Sequence, residues 1–179
     1  YNNEARDDNC VLDVPTIQRD NFDIIGYSTD PNGKTNDDNI DTKSHQINID
    51  KNNNGNKYYA ISKRKIDITY DKNGVTSLTK DSDTCTIWNA ATSCEITTPK
   101  ITRDGFEIHG YSTDKDATSE SNNLVPHNSK YLVDENHKYY AITSKYIEDK
   151  FYINGALGLT DVSGKIVNTN VNRSCTIYN

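Results

Sequence analysis

Apolar residues in this chain come in short alternating runs. Lys65-Ile-Asp-Ile-Thr-Tyr70 sets Ile66, Ile68 and Tyr70 on one face, the period-two signature of a strand with one side buried. Cys10-Val-Leu-Asp-Val-Pro15, Lys57-Tyr-Tyr-Ala-Ile-Ser62, Tyr131-Leu-Val133 and Lys138-Tyr-Tyr-Ala-Ile-Thr143 read as further short strands. Turn sequences punctuate them: Asp30-Pro-Asn-Gly33, Asp71-Lys-Asn-Gly74 and Tyr152-Ile-Asn-Gly155. Residues 34–56 are rich in Asn and Asp, and only Ile47 and Ile49 alternate there. That stretch predicts a loop with one thin strand, and Leu78 stands isolated. The pattern predicts a mainly β chain, α+β at most, strand-rich with long polar loops.

The chain also says one phrase twice. Pro15-Thr-Ile-Gln-Arg-Asp-Asn-Phe-Asp-Ile-Ile-Gly-Tyr-Ser-Thr-Asp30 returns as Pro99-Lys-Ile-Thr-Arg-Asp-Gly-Phe-Glu-Ile-His-Gly-Tyr-Ser-Thr-Asp114, 84 residues on (15 to 99) and without a gap. Lys57-Tyr-Tyr-Ala-Ile-Ser62 returns at Lys138, 81 residues on (57 to 138). Ile66 and Tyr70 match Ile147 and Phe151, and the Asn73-Gly74 turn matches Asn154-Gly155. Cys85-Thr-Ile-Trp-Asn89 matches Cys175-Thr-Ile-Tyr-Asn179, with nine residues inserted before it (an offset of 90 against 81). Cys94 precedes Pro99 as Cys10 precedes Pro15. An enzyme does not need its chemistry twice in so short a chain, so a tandem structural repeat is expected.

Composition sharpens this. The chain has 179 residues, of which 33% are hydrophobic, and twelve are Tyr. Two units of about 80 residues bury little surface each and need staples. The net charge is −6 with both signs interspersed; no basic stripe invites nucleic acid, and no apolar run is long enough to insert in a membrane. None of the four Cys lies in a C-x-x-C pair or beside clustered His, so disulfides of a secreted protein are expected rather than zinc. Four Cys allow three pairings.

Together these phrases resemble the Listeria–Bacteroides repeat, the internalin-type B repeat of bacterial surface proteins. The resemblance rests on Pro-x-Ile-x-Arg-x-Gly-Phe-x-Ile-x-Gly-Tyr-Ser-Thr-Asp, on Tyr-Tyr-Ala-Ile, and on Ile-x-Ile-Thr-Tyr-Asp-x-Asn-Gly. It covers nearly the whole chain. Tyr27 and Tyr111 stand where Trp is usual, and the Asn-rich loops are longer than the pattern. The Cys-Thr-Ile-x-Asn…Cys insertion looks like a variant from low-GC Gram-positive bacteria. The resemblance implies tandem small β-grasp-like repeats, strung as spacers or adhesive modules on secreted or cell-surface proteins, and no catalytic residues.

It further implies boundaries: 1–64, a unit lacking its first strand; 65–145, a complete β-grasp-like repeat; 146–179, the first-strand segment of a further unit. Tyr1-Asn2 then resemble the end of another Cys-Thr-Ile-Tyr-Asn phrase. Two outcomes are open. In one, 146–179 folds back or stays irregular, Cys10 meets Cys85 and Cys94 meets Cys175. In the other, Cys85 pairs locally with Cys94, and the tail of one molecule completes the head of the next, Cys175 bonding Cys10 of a neighbour. Ile147, Phe151, Ile153 and Ile177 would form the assembling strand. A chain cut from a longer tandem array is the plainer reading.

Candidate chemistry is thin. Asp50-Lys-Asn-Asn-Asn-Gly55 begins like a calcium loop, but its twelfth position is Ile61, where a bidentate Glu is required. Asp30, Asn32, Asp37 and Asp38 form a second candidate loop for a ligand or cation. Arg19-Asp20 and Arg103-Asp104 recur and read as turns with surface ion pairs. His45, His109, His127 and His137 do not recur and are expected to be solvated. The Tyr58-Tyr59 and Tyr139-Tyr140 pairs are expected in the core first and on a glycan-binding face second. No cofactor, metal or catalytic residue is expected. The expected function is non-enzymatic: an extracellular stalk or fibre segment whose partners are copies of itself or adjacent repeats. The alternative is an adhesin binding a host protein or glycan through the variable loops after Asp30 and Asp114.

Overall fold

A computed structural model describes residues 9–38, 40–50 and 55–178. Tyr1-Asn2 and residues 51–54 of the calcium-like stretch lie outside the described residues. Every regular element described is a strand. The first five are β1 (Asn9–Asp13), β2 (Asp23–Ser28), β3 (Ile40–Asp41), β4 (Gln46–Asp50) and β5 (Tyr59–Asp71). The next five are β6 (Ser77–Leu78), β7 (Ser82–Trp88), β8 (Cys94–Thr97), β9 (Ile101–Thr102) and β10 (Glu107–Ser112). The last five are β11 (Lys130–Val133), β12 (His137–Phe151), β13 (Leu159–Thr160), β14 (Ile166–Val167) and β15 (Val171–Tyr178). The chain is mainly β, as its alternation predicts.

Two expected breaks are absent. The strands expected at 57–62 and 65–70 are one strand, β5, and 138–143 runs on into β12. Ser62-Lys63-Arg64-Lys65 is polar but holds neither Gly nor Pro. Nothing there forbids extended backbone, so pairing carries through. The Asn-rich segment holds β3 and β4 where one thin strand was expected, and Leu78 sits in β6, which pairs with β9.

Packing divides the chain into two compact units. The first comprises 1–66, 84–94 and 132–135; the second comprises 67–83, 95–131 and 136–179. In the first, β4 lies between β1 and β3, and β2 runs antiparallel to the opening half of β5. In the second, β12 pairs antiparallel with β10 and with β15, and parallel with the closing half of β5. The second unit is built on Ile68, Tyr70, Ile101, Tyr111, Tyr139 and Ile142, all buried. Tyr70 stacks near Tyr139, with ring centroids 6.1 Å apart, and tilts against Tyr111 at 5.1 Å.

The doubled phrase folds alike in its two places. Asp23 lies opposite Lys63 and Tyr27 opposite Ala60, with a bulge between Ile24 and Gly26. Glu107 lies opposite Ser144 and Tyr111 opposite Ala141, with a bulge between Ile108 and Gly110. Cys10 faces Ile49 on β1 and β4, and the Val14 N–H bonds the His45 carbonyl. The matching bond runs from Thr98 to Ser129. Positive φ recurs at matched sites: Asn21 (61°) with Gly105 (72°), Gly26 (138°) with Gly110 (118°), and Asn73-Gly74 with Asn154-Gly155.

Candidate functional site

The site is built on the cysteines. Cys85 on β7 and Cys94 at the start of β8 form a disulfide, with Cα atoms 5.9 Å apart. This excludes the expected alternative of Cys10 with Cys85 and Cys94 with Cys175. Cys10 and Cys175 are free thiols, both exposed. The tail does fold back, as a β12–β15 hairpin that places Cys175 opposite Ile147. In the first half of the chain, backbone bonds from Asn89 to Ser62 and from Tyr70 to Asp81 fix how β7 lies on β5. Counted inward from both bonds, Cys85 falls opposite Ile66, the match of Ile147. Cys175 therefore holds the position of Cys85, and Cys10 holds that of Cys94, without the bond.

Burial separates the matched positions in the same way. On the hairpin, Tyr70 and Ile87 are 5% and 1% exposed, whereas Phe151 and Ile177 are 51% and 44% exposed. On the other side, Ile96 is 4% exposed and its match Leu12 is 48%. Pro99, Tyr111 and Ala141 are buried, while Pro15 and Ala60 are exposed and Tyr27 is half-buried. Tyr27 and Tyr111 each donate a hydroxyl hydrogen bond to the matching proline carbonyl, Pro15 and Pro99. In the first unit, Tyr27, Val14, Pro15, Ile17, Ile24 and Ile40 line an apolar cleft of about 260 Å³. In the second unit the matching tyrosine, Tyr111, carries the Tyr70 ring against it.

Of the assembling residues expected, Ile147 and Phe151 lie on β12 and Ile177 on β15. Ile153 does not join them. It lies past the end of β12, in the turn where its N–H bonds the Asn170 side chain. Asp30, Asn32, Asp37 and Asp38 lie in the loop that follows β2. Asp30 accepts the Asn32 N–H within its own turn, and the described residues hold no metal-binding cluster of His, Cys, Asp and Glu.

The recurring arginines are also placed differently from the surface ion pairs expected. Arg19 stacks on Phe22, its guanidinium carbon 3.4 Å from the ring centroid, and donates to Ser62 Oγ and the Asn89 carbonyl. Arg103 stacks on Phe106 and donates to Thr143 Oγ1 at 2.7 Å. Ser62 and Thr143 are matched positions, so the pair clamps each signature onto the strand beside it. The Arg-x-x-Phe spacing was the signal in the sequence for this contact. His109 and His127 are not simply solvated: His109 bonds Ser144 Oγ, and His127 Nδ1 accepts the Ile101 N–H.

Burial pushes the Tyr70 hydroxyl well above its ordinary pKa, with the nearby Asp83 charge adding to it, and burial raises Tyr111 likewise. Asp71 is held low by the Asn73 N–H and by Lys138, 3.0 Å away. Tyr70 and Tyr111 lie in the core and Asp71 is half-buried at its rim.

No family model, curated protein or solved structure matches the chain. A second concavity, about 590 Å³, lies beside half-buried Trp88 in the first unit. Asn32, Lys34, Thr86, Asn89 and Ser93 border it, and Lys34 Nζ is 5.5 Å from the Trp88 ring centroid. Asn89 pins the loop after Asp30 there by donating to the Pro31 and Gly33 carbonyls.

No helix among the described residues is long and apolar enough to cross a membrane.

Proposed function

We propose that the chain is a non-enzymatic structural repeat of a bacterial surface or secreted protein. It acts as a stalk or fibre segment of β-grasp-like units of the Listeria–Bacteroides type. One observation carries this reading. In the second unit the chain comes in along the closing half of β5 and goes on along β12, and these strands pair in parallel, Ile68 opposite His137 and Tyr70 opposite Tyr139. Tension applied to the ends of that segment drags the two strands past each other along their axes. Their bonds are loaded together and do not open one at a time. Forced unfolding is governed by the height of the unfolding barrier, and shear of this kind raises it. The test is single-molecule stretching by the termini: the second unit is expected to give a distinct force peak, against gradual extension for a chain with no load-bearing role.

The cleft beside Trp88 favours a second reading, an adhesin that stacks a sugar or peptide on the indole and reads it with the loop after Asp30. Trp88→Ala would then abolish a saturable interaction with a glycan panel while leaving the force peak in place.

A further inference from the structure

The two matched sets of exposed positions complement each other. One set, on β1, the segment after it, β2 and the start of β5, has lost the cover that its match enjoys: Leu12, Pro15, Tyr27 and Ala60. The other, on the β12–β15 hairpin, is the covering element without anything to cover: Phe151, Ile177 and Cys175. The chain shows what the joined arrangement looks like, because Tyr70 and Cys85 occupy those hairpin positions in the folded state, Tyr70 against Tyr111 and Cys85 bonded to Cys94.

We propose that copies of this chain join head to tail through a disulfide from Cys175 of one copy to Cys10 of the next. The Phe151 ring of the first copy seats in the apolar cleft beside Tyr27 of the second. The inference rests on the stalk reading and names the partner, a second copy. Main-chain pairing at the open side of β5 adds to the contact. A contact of this kind between unlike surfaces does not close on itself and so propagates into a filament. The bond forms by thiol–disulfide exchange with a small-molecule disulfide such as oxidised glutathione. The two thiols lose two protons and two electrons in all, and the oxidant leaves as two reduced thiols.

The hairpin is an imperfect guest. Asp149 stands at the position of Ile68, which is buried in the second unit. Burying that carboxylate opposes strand addition, so the covalent bond is required to hold the joint.

The full chain is incubated with oxidised glutathione and resolved without reductant. A ladder of dimers and longer species is expected, collapsing with reductant. Mixing isotope-labelled and unlabelled chains should show Cys10–Cys175 peptides linking the two. Cys10→Ser or Cys175→Ser alone should leave the chain monomeric, and an equal mixture of the two variants should stop at dimer. Phe151→Asp, at an exposed site, should keep the Cys85–Cys94 bond yet slow ladder formation about tenfold, and Asp149→Ile should speed it. Four results would overturn the proposal: a persistent monomer, a Cys10–Cys175 bond within one chain, Cys10–Cys10 and Cys175–Cys175 links in random proportion, or a ladder indifferent to Phe151. A persistent monomer that still gave the force peak would leave the stalk reading standing; loss of the peak in a ladder-forming chain would remove that reading alone.

Discussion

The Arg103 guanidinium carbon lies 3.6 Å from the centroid of the Phe106 ring, three residues ahead in sequence. The stack leaves the guanidinium edge free to donate to Thr143 Oγ1 on β12. Planarity makes both contacts available at once, and a lysine has only a point charge to offer. Arg103→Ala is expected to cost about 1–3 kcal/mol, and Arg103→Lys to recover less than half of it. Urea denaturation with an unchanged slope would check this. An Arg103→Ala chain as stable as the parent would show that the contact contributes nothing.

Gly110 carries the bulge of β10 at a φ of 118°. A Cβ there would come 2.3 Å from the Val125 carbonyl oxygen, which is backbone and accepts the Tyr111 N–H. Gly110→Ala must therefore move the chain, and about 2 kcal/mol or more of destabilisation is expected. Gly155→Ala is the control, since its φ of 85° is also positive but nothing lies within 4 Å. It should cost distinctly less. Thermal melts of the two variants side by side decide the point.

Alkali should unfold the protein through its tyrosines. Burial raises Tyr70 and Tyr111 above the ordinary value near 10. Below about pH 10 both the folded and unfolded chains keep these protons, and stability is unaffected. Above it the unfolded chain releases protons that the folded chain holds, so stability falls by up to about 1.4 kcal/mol per pH unit for each tyrosine. Spectrophotometric titration should find Tyr70 and Tyr111 ionising only with unfolding. Reversible ionisation of these two near pH 10 in the folded state would refute the buried assignment.

Much of this fold was legible because it is written twice. The alternation at Ile66, Ile68 and Tyr70 gave a strand and its buried face, and the doubled signature gave a tandem repeat, whose two copies pair with one geometry. The uninterrupted length of β5 and β12 was not legible. The polar residues between their halves look like loop to a hydrophobicity pattern, but extended backbone tolerates them. The Asn36 side chain was also beyond reach. Its Oδ1 accepts the Tyr27 N–H at 2.9 Å, doing for the first copy of the signature what the Val125 backbone carbonyl does for the second. A side chain standing in for backbone leaves no periodic trace. At the candidate site the cysteines were legible as residues, but that Cys10 and Cys175 are free and exposed while Cys85 and Cys94 are bonded and half-buried needed coordinates.

If the parallel pairing of β5 with β12 bears load, as proposed, stretching a single chain by its termini shows it. Without reductant, the second unit should give one distinct peak. The Cys85–Cys94 bond closes a loop of nine residues, stabilising the fold by roughly 2.5 kcal/mol and hiding about 25 Å of contour. Reductant should lengthen the released contour by that amount and leave the peak in place, because the strands that shear are not the ones the disulfide joins. A peak that vanished on reduction, or a chain that extended without any peak, would show that the β5–β12 pairing does not bear load.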